Sequence, residues 1–221
     1  DMSSASSCGI SNWSGNMFFD SSSGSIRPIY TIPSAAKDTK GKLWLYWGTG
    51  DKIDPTASNA QEHFYAVKDL DRNATYTVND IDTLSSDTQT YDLDSGKVGY
   101  RRQLNGQGEK VLADPVVFGG VVYFTTYLPP SSSNLCLQAG SAYLYALKYT
   151  TGGCVLDQCK MFLGVGLSSS PIISVGPEGK RLYVTVSGGA GIAGQTFKVG
   201  ITPQGRSNAT NVIYWKDQRI D

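Results

Sequence analysis

The chain says one thing three times, and that repetition limits its fold more than any other feature. Each copy is a Pro followed by apolar residues, a Gly-containing turn, a β-branched and aromatic run, a polar insert and a second aromatic run. The first copy runs from Arg27-Pro28-Ile29-Tyr30 through KLWLYWGTG at 42–50 to HFYAVKD at 63–69. The second runs from Asp114-Pro115-Val116-Val117 through GGVVYFTTY at 119–127 to YLYALKYTTG at 143–152. The third runs from Ser170-Pro171-Ile172-Ile173 through GKRLYVTVSGG at 179–189 to QTFKVGI at 195–201. A repeat of this kind cannot bury its apolar faces alone and must stack on its neighbours. Short alternating strands joined by Gly turns make each copy a sheet unit, so the expected fold is an all-β propeller built of blades.

The spacing assigns the parts. Pro115 and Pro171 lie 56 residues apart and Pro28 and Pro115 lie 87 apart, against about 40–50 residues for a minimal blade. Units near 27–69, 114–152 and 170–201 are therefore expected within a propeller portion at 26–221, after a Ser-rich segment at 1–25 that holds a partial blade strand. The polar stretch 70–110 reads as an insert carried by the first unit, a surface loop or flap. Strands are expected near 43–48, 63–68, 112–118, 121–127, 142–149, 170–175, 181–187 and 195–200, with very little helix. Three units plus a fragment near 14–20 amount to roughly three to four blades, the lower limit for a propeller. An incomplete ring exposes strand edges. Completion by a preceding segment or another subunit is expected, with 14–20 and 211–217 as edge strands and with aggregation of the isolated chain.

Composition excludes several functions. Nineteen basic and nineteen acidic residues cancel and the basic ones do not cluster, so neither nucleic acid nor an anionic membrane finds a positive surface. The longest apolar run, near Val116–Phe124, is interrupted by Gly-Gly and falls far short of the roughly 20 residues of a spanning helix. Four cysteines, at 8, 136, 154 and 159, allow three pairings and suggest an oxidising compartment. A Cys154–Cys159 bridge is expected, leaving Cys8 and Cys136 as the remainder.

Several strings also resemble a known family. LYWGTGDKID at 45–54 followed by HFYAVKD at 63–69 is similar to a signature of the PilY-type proteins of bacterial type IV pili. So are GEKVLADPVVFGGVVYFTTYLP at 108–129 with GSAYLYALKYTTG at 140–152, the preceding SGNMFFD at 14–20, and the closing NVIYWKDQR at 211–219. The matches occur in the family's order from residue 14 to residue 219. The resemblance implies a C-terminal β-propeller of a secreted, extracellular surface protein, exported through the periplasm. Its expected work is pilus biogenesis, adhesion or twitching motility, with pilin or minor pilins and host or abiotic surfaces as partners. The family's D-x-D-G-D calcium loop is missing from residues 1–13.

No catalytic constellation accompanies these strings, so no enzyme, catalytic residue or cofactor is expected. Asp69, Asp71, Asn73 and Asp80 copy part of an EF-hand spacing, but Ala74 replaces the required Gly and Asp80 the longer Glu, so an acidic turn is the expected reading, with calcium as the alternative. His63 has no Ser elbow to serve and reads as a half-buried strand residue. The Gly runs at 48–50 and 188–194 lack the helix and Lys of a phosphate loop and read as strand-end turns. Thr151-Gly152 is similar to the turn that locks blades in quinone-dependent dehydrogenases. This keeps a fragment of a pyrroloquinoline-quinone enzyme as an alternative, beside a filament-capping or scaffold subunit. Asn12, Asn73 and Asn208 fall in glycosylation sequons. Trp13, Trp44, Trp47 and Trp215 read as packing residues or as part of an adhesive surface.

Overall fold

Each repeat's sheet starts one residue after a proline. A computed structural model describes residues 15–200, apart from 23, 25, 58–59, 131–138, 178 and 189–193. In it Pro33, Pro115 and Pro171 directly precede the strands Ser34–Lys37 (β2), Val116–Phe118 (β8) and Ile172–Gly176 (β12). All three strands are at the edge of their sheets, where a residue without an N–H donor costs the ladder nothing. The first unit is thus opened by Pro33 and not, as the repeat alone suggests, by Pro28. Ile29 and Tyr30, the apolar residues that follow Pro28, are exposed outside any strand.

The second repeat is an antiparallel meander of four strands, β8, Val121–Leu128 (β9), Ser141–Lys148 (β10) and Lys160–Val165 (β11). The third has β12, Gly179–Val186 (β13) and Gln195–Gly200 (β14). The first has β2, Leu43–Gly48 (β3), His63–Asp69 (β4) and Gly99–Gln103 (β7), with Asp82–Leu84 (β6) added parallel to β7. Phe19–Asp20 (β1) pairs in parallel with Tyr76–Thr77 (β5), so the fragment near 14–20 docks on the 70–110 stretch rather than on an edge of a repeat. That stretch is not simply a flap: it supplies β5, β6 and β7, and Tyr100 and Arg102 of β7 are fully buried. Among the described residues, helix is limited to one 3-10 turn at Val78–Asp80, capped by Thr77. No helix of the described residues is long and apolar enough to cross a membrane. The expected edge strand at 211–217 lies outside the described residues.

Period-two alternation gives every sheet two faces, and the faces stack in chain order. Trp44, Tyr46, Phe64 and Tyr100 of the first sheet meet Val122, Phe124, Tyr145 and Leu147 of the second. Phe64 stacks on Phe124 at 3.8 Å between ring centroids, and Phe124 stacks on Tyr145 at 4.8 Å. The other face of the second sheet, Val121, Tyr123, Leu144 and Ala146, meets Leu182, Val184 and Val186 of the third. Each such side chain contributes about 1.5–3 kcal/mol by leaving water.

The starts of the sheets are also tied to one another in order. The N–H of Ile32 donates to Asp114 Oδ1 at 2.7 Å, and the N–H of Asp114 donates to Ser170 Oγ at 2.9 Å. Ile32, Asp114 and Ser170 are the three residues that precede the opening prolines. The Ser34 hydroxyl also donates to the Pro115 carbonyl. Repeat-equivalent positions therefore touch one another at one end of the stack.

Candidate functional site

The strings that carry the family resemblance meet inside the molecule. Thr49, in the middle of the GTG turn, donates its N–H to the His63 carbonyl and accepts the N–H of Val111 at its own carbonyl, both at 3.0 Å. A Cβ on Gly48 would run into the Val111 side chain, and one on Gly50 would lie 2.6 Å from Lys110 Cβ. These glycines are needed for close approach, not for a phosphate. Lys110 is buried, with its ammonium donating to the carbonyls of Gly108, at 3.0 Å, and Ala57. Burial pushes its pKa down, opposed by Glu62, Asp54 and Asp51. Beside it the fully buried Glu109 accepts from the Thr126 hydroxyl at 2.6 Å, the Gly106 N–H at 2.9 Å and the Lys160 ammonium at 2.8 Å. Satisfied in this way, the buried charges hold the loop at 49–57 to β9.

A second joint uses the Thr151-Gly152 turn, which packs against the first sheet. Gly152, at φ +67°, leaves no room for a Cβ against Leu84 and Tyr100. Its carbonyl accepts from Arg102 at 2.7 Å, and Arg102 also donates to the carbonyls of Ser86 and Gln89. Tyr91 N–H donates to the Thr151 carbonyl at 2.8 Å. The expected Cys154–Cys159 disulfide closes the adjoining loop. Cys8 and Cys136 lie outside the described residues.

Of the acidic residues with EF-hand spacing, Asp71 and Asp80 have local work, while Asp69 Oδ1 is buried with no hydrogen-bond partner among the described residues. Asp71 Oδ1 accepts the N–H of Asn73 at 2.9 Å. Asp80 Oδ2 accepts the N–H and hydroxyl of Thr77, both at 2.8 Å, which lowers its pKa. Among the described residues, the one group of three metal-ligating side chains within mutual reach is Asp87 with Cys154 and Cys159, and its sulfurs are spent on the disulfide. Asn73 is exposed and its side-chain oxygen accepts from Asn16. The other two sequons, Trp13 and Trp215 lie outside the described residues. Trp44 is buried in the core, with its indole N–H donating to Asp38 Oδ2 at 3.0 Å.

One open feature is a cleft of about 380 Å³ on the outer face of the first sheet. Its floor is Leu45, Trp47, Thr49 and Tyr65, the alternate residues to those of the core. Trp47 and Tyr65 are cross-strand partners whose rings stack at 5.1 Å and 2°. Phe18 and Phe19 close one end, Phe19 lying edge-on to both rings at 5.4 and 5.6 Å. Arg27, Ile29 and Pro33 form the opposite wall. The Nε of Arg27 is buried and has no hydrogen-bond partner among the described residues. His63, half-buried as expected, shares this face, and its pKa falls to about 4 through burial and the neighbouring charges of Arg101 and Arg27. Sequence reasoning missed Phe18, Phe19 and Arg27 as cleft residues, because the segment at 15–33 carries no periodic pattern that would aim its side chains.

No family model matches the chain. Two proteins of Xylella fastidiosa (strain Temecula1 / ATCC 700964), each called a type IV pilus biogenesis factor PilY1 homolog, are similar to it. One is 46% identical over 52 residues, covering 24% of this chain and 4% of the relative. The other is 25% identical over 183 residues, covering 69% and 14%. The chain thus spans a small part of the length of these relatives. The crystal structure of the Pseudomonas aeruginosa PilY1 C-terminal domain shares the fold, with a TM-score of 0.57 at 17% identity over 85% of this chain and 47% of that one. Sequence and fold point the same way: the chain is similar in sequence to PilY1 homologs and in fold to a PilY1 C-terminal domain.

Proposed function

We propose that this chain is a non-catalytic, surface-exposed module of a type IV pilus-associated protein, acting in pilus biogenesis, adhesion or twitching motility. The observation that carries the reading is the agreement of two likenesses, in sequence to Xylella fastidiosa PilY1 homologs named as type IV pilus biogenesis factors and in fold to the Pseudomonas aeruginosa PilY1 C-terminal domain. The three stacked sheets serve as propeller blades, and the module works by binding rather than by chemistry. Ring completion by further sheets is part of the proposal. Its support is the outer face of the third sheet, where Ile172, Thr185, Thr196 and Lys198 are exposed and no fourth layer of described residues covers them. Pilin or minor pilins, and host or abiotic surfaces, are the proposed partners outside the cell.

Deleting the gene in its host bacterium and labelling the complemented protein on intact cells tests this reading. Label on pili or the outer surface, with twitching or attachment lost on deletion, is expected. Label confined to the cell interior overturns it. Dye reduction by the purified chain with pyrroloquinoline quinone and calcium would establish the dehydrogenase reading instead.

A further inference from the structure

The cleft on the first sheet combines two features that a packing defect would not bring together. One is a deep aromatic floor. The other is a guanidinium whose Nε is shut away from water and has no partner among the described residues. Leaving a buried donor unpaired costs about 1–3 kcal/mol, more for a charged group, and an incoming acceptor removes that cost. The surroundings are basic: Arg101, cross-strand to Tyr65, and Arg27 both bear on His63. Anionic groups are therefore favoured at this wall, and apolar ones at the floor.

We infer that the cleft is a docking site for a linear peptide segment that carries an aromatic or branched aliphatic side chain beside a carboxylate. The apolar side chain lies in the cleft over Leu45, between Phe19 and Ile29, and the carboxylate pairs with Arg27. A peptide fits better than a small organic acid because the apolar surface continues past the cleft. Ile26, Ile29, Tyr30 and Ile32 are 73%, 51%, 44% and 72% exposed along one strip of chain. Scattered exposed apolar residues are ordinary, but four within seven residues, of which Ile29 lines the cleft, mark an interaction surface. The inference rests on the proposed binding role and names the partner chemistry of that role.

The test is an immobilised array of linear peptides made in pairs, each with Asp or Glu beside an aromatic or branched residue and its counterpart with Asn or Gln. The full chain is passed over it. The acidic member of a pair should be retained about tenfold more tightly or better, as a charge-assisted contact implies. Arg27→Gln should bring the two members of a pair together while keeping apolar selectivity. Ile29→Glu, at an exposed position that leaves thermal unfolding unchanged, should abolish retention of both. Equal retention of acid and amide by the unaltered chain overturns the inference, as does an Arg27→Gln variant that still discriminates. Binding of indole-3-acetate with no peptide retained overturns the peptide assignment. Retention of no probe overturns the cleft site but leaves pilus localisation standing, so this inference and the proposed function fail separately.

Discussion

The two faces of the first sheet come from the same strands, one residue out of step, and they meet different fates. On the inner face Trp44, Tyr46 and Phe64 are sealed against Phe124 and Leu147 of the second sheet. On the outer face Trp47 and Tyr65 are as aromatic and are buried too, under Phe18, Phe19 and Tyr76 rather than under a whole repeat, and with Leu45 they border a cleft. Aromatic content therefore does not separate a core from a site. What separates them is whether a complementary sheet arrives. The inner face has a whole repeat laid over it; the outer face has two Phe rings and a wall bearing Arg27. The same alternation that built the core left a hydrophobic cleft on its reverse.

The comparison breaks most readily at the inner face. Phe124→Ala removes a ring sandwiched between Phe64 and Tyr145 and should cost about 3–5 kcal/mol in denaturant unfolding, whereas Trp47→Ala, buried but bordering the cleft, should cost less. Equal costs would mean that the outer face is as tightly held as the core. Next in size is the disulfide. Replacing Cys154 and Cys159 together by Ala should lower stability by about 2 kcal/mol and raise hydrogen exchange at Tyr91 and Arg102, whose contacts with Thr151 and Gly152 hold the edge of the inner interface.

His63 sharpens the outer side. Its folded pKa of about 4 lies below the ordinary 6.5, so the unfolded chain takes up the proton first. Stability should be intact above about pH 6.5 and fall by about 1–2 kcal/mol toward pH 4, allowing for partial exposure. His63→Gln should flatten that slope in melts taken between those values. The smallest effect belongs to the ties between sheets. Asp114→Ala removes one acceptor, for the Ile32 N–H, and should cost about 0.5–1.5 kcal/mol. It should also speed exchange at Ile32 more than at any residue of β3.

Much of the fold was legible because the strands that matter are long, aromatic and alternating. The runs expected at 43–48, 63–68, 121–127 and 142–149 announce themselves, and they are the strands Leu43–Gly48, His63–Asp69, Val121–Leu128 and Ser141–Lys148. β7 did not, since GYRRQ looks polar; Arg102 is interior only because three backbone carbonyls converge on it. β2 was hidden by SAAK, which has little strand preference, while the more strand-like residues around Pro28 became the lip of the cleft. The lesson is that apolar periodicity reports burial against any neighbour, and a short strand at the start of a sheet is placed by its partners.

The sequence by itself determined the repeating sheet units, the all-β class, the loop bridged by Cys154 and Cys159, and the likeness to pilus proteins, because all of these are properties of local pattern or of ordered strings. Only the tertiary structure decided that Pro33 opens the first unit, that the pre-proline residues touch in series, and that Glu109 and Lys110 are interior. It also decided that Trp47 and Tyr65 line a cleft while Trp44 and Phe64 fill a core. Those outcomes depend on which segment lands on which face, and the free energy of that choice comes from surfaces far apart in the chain.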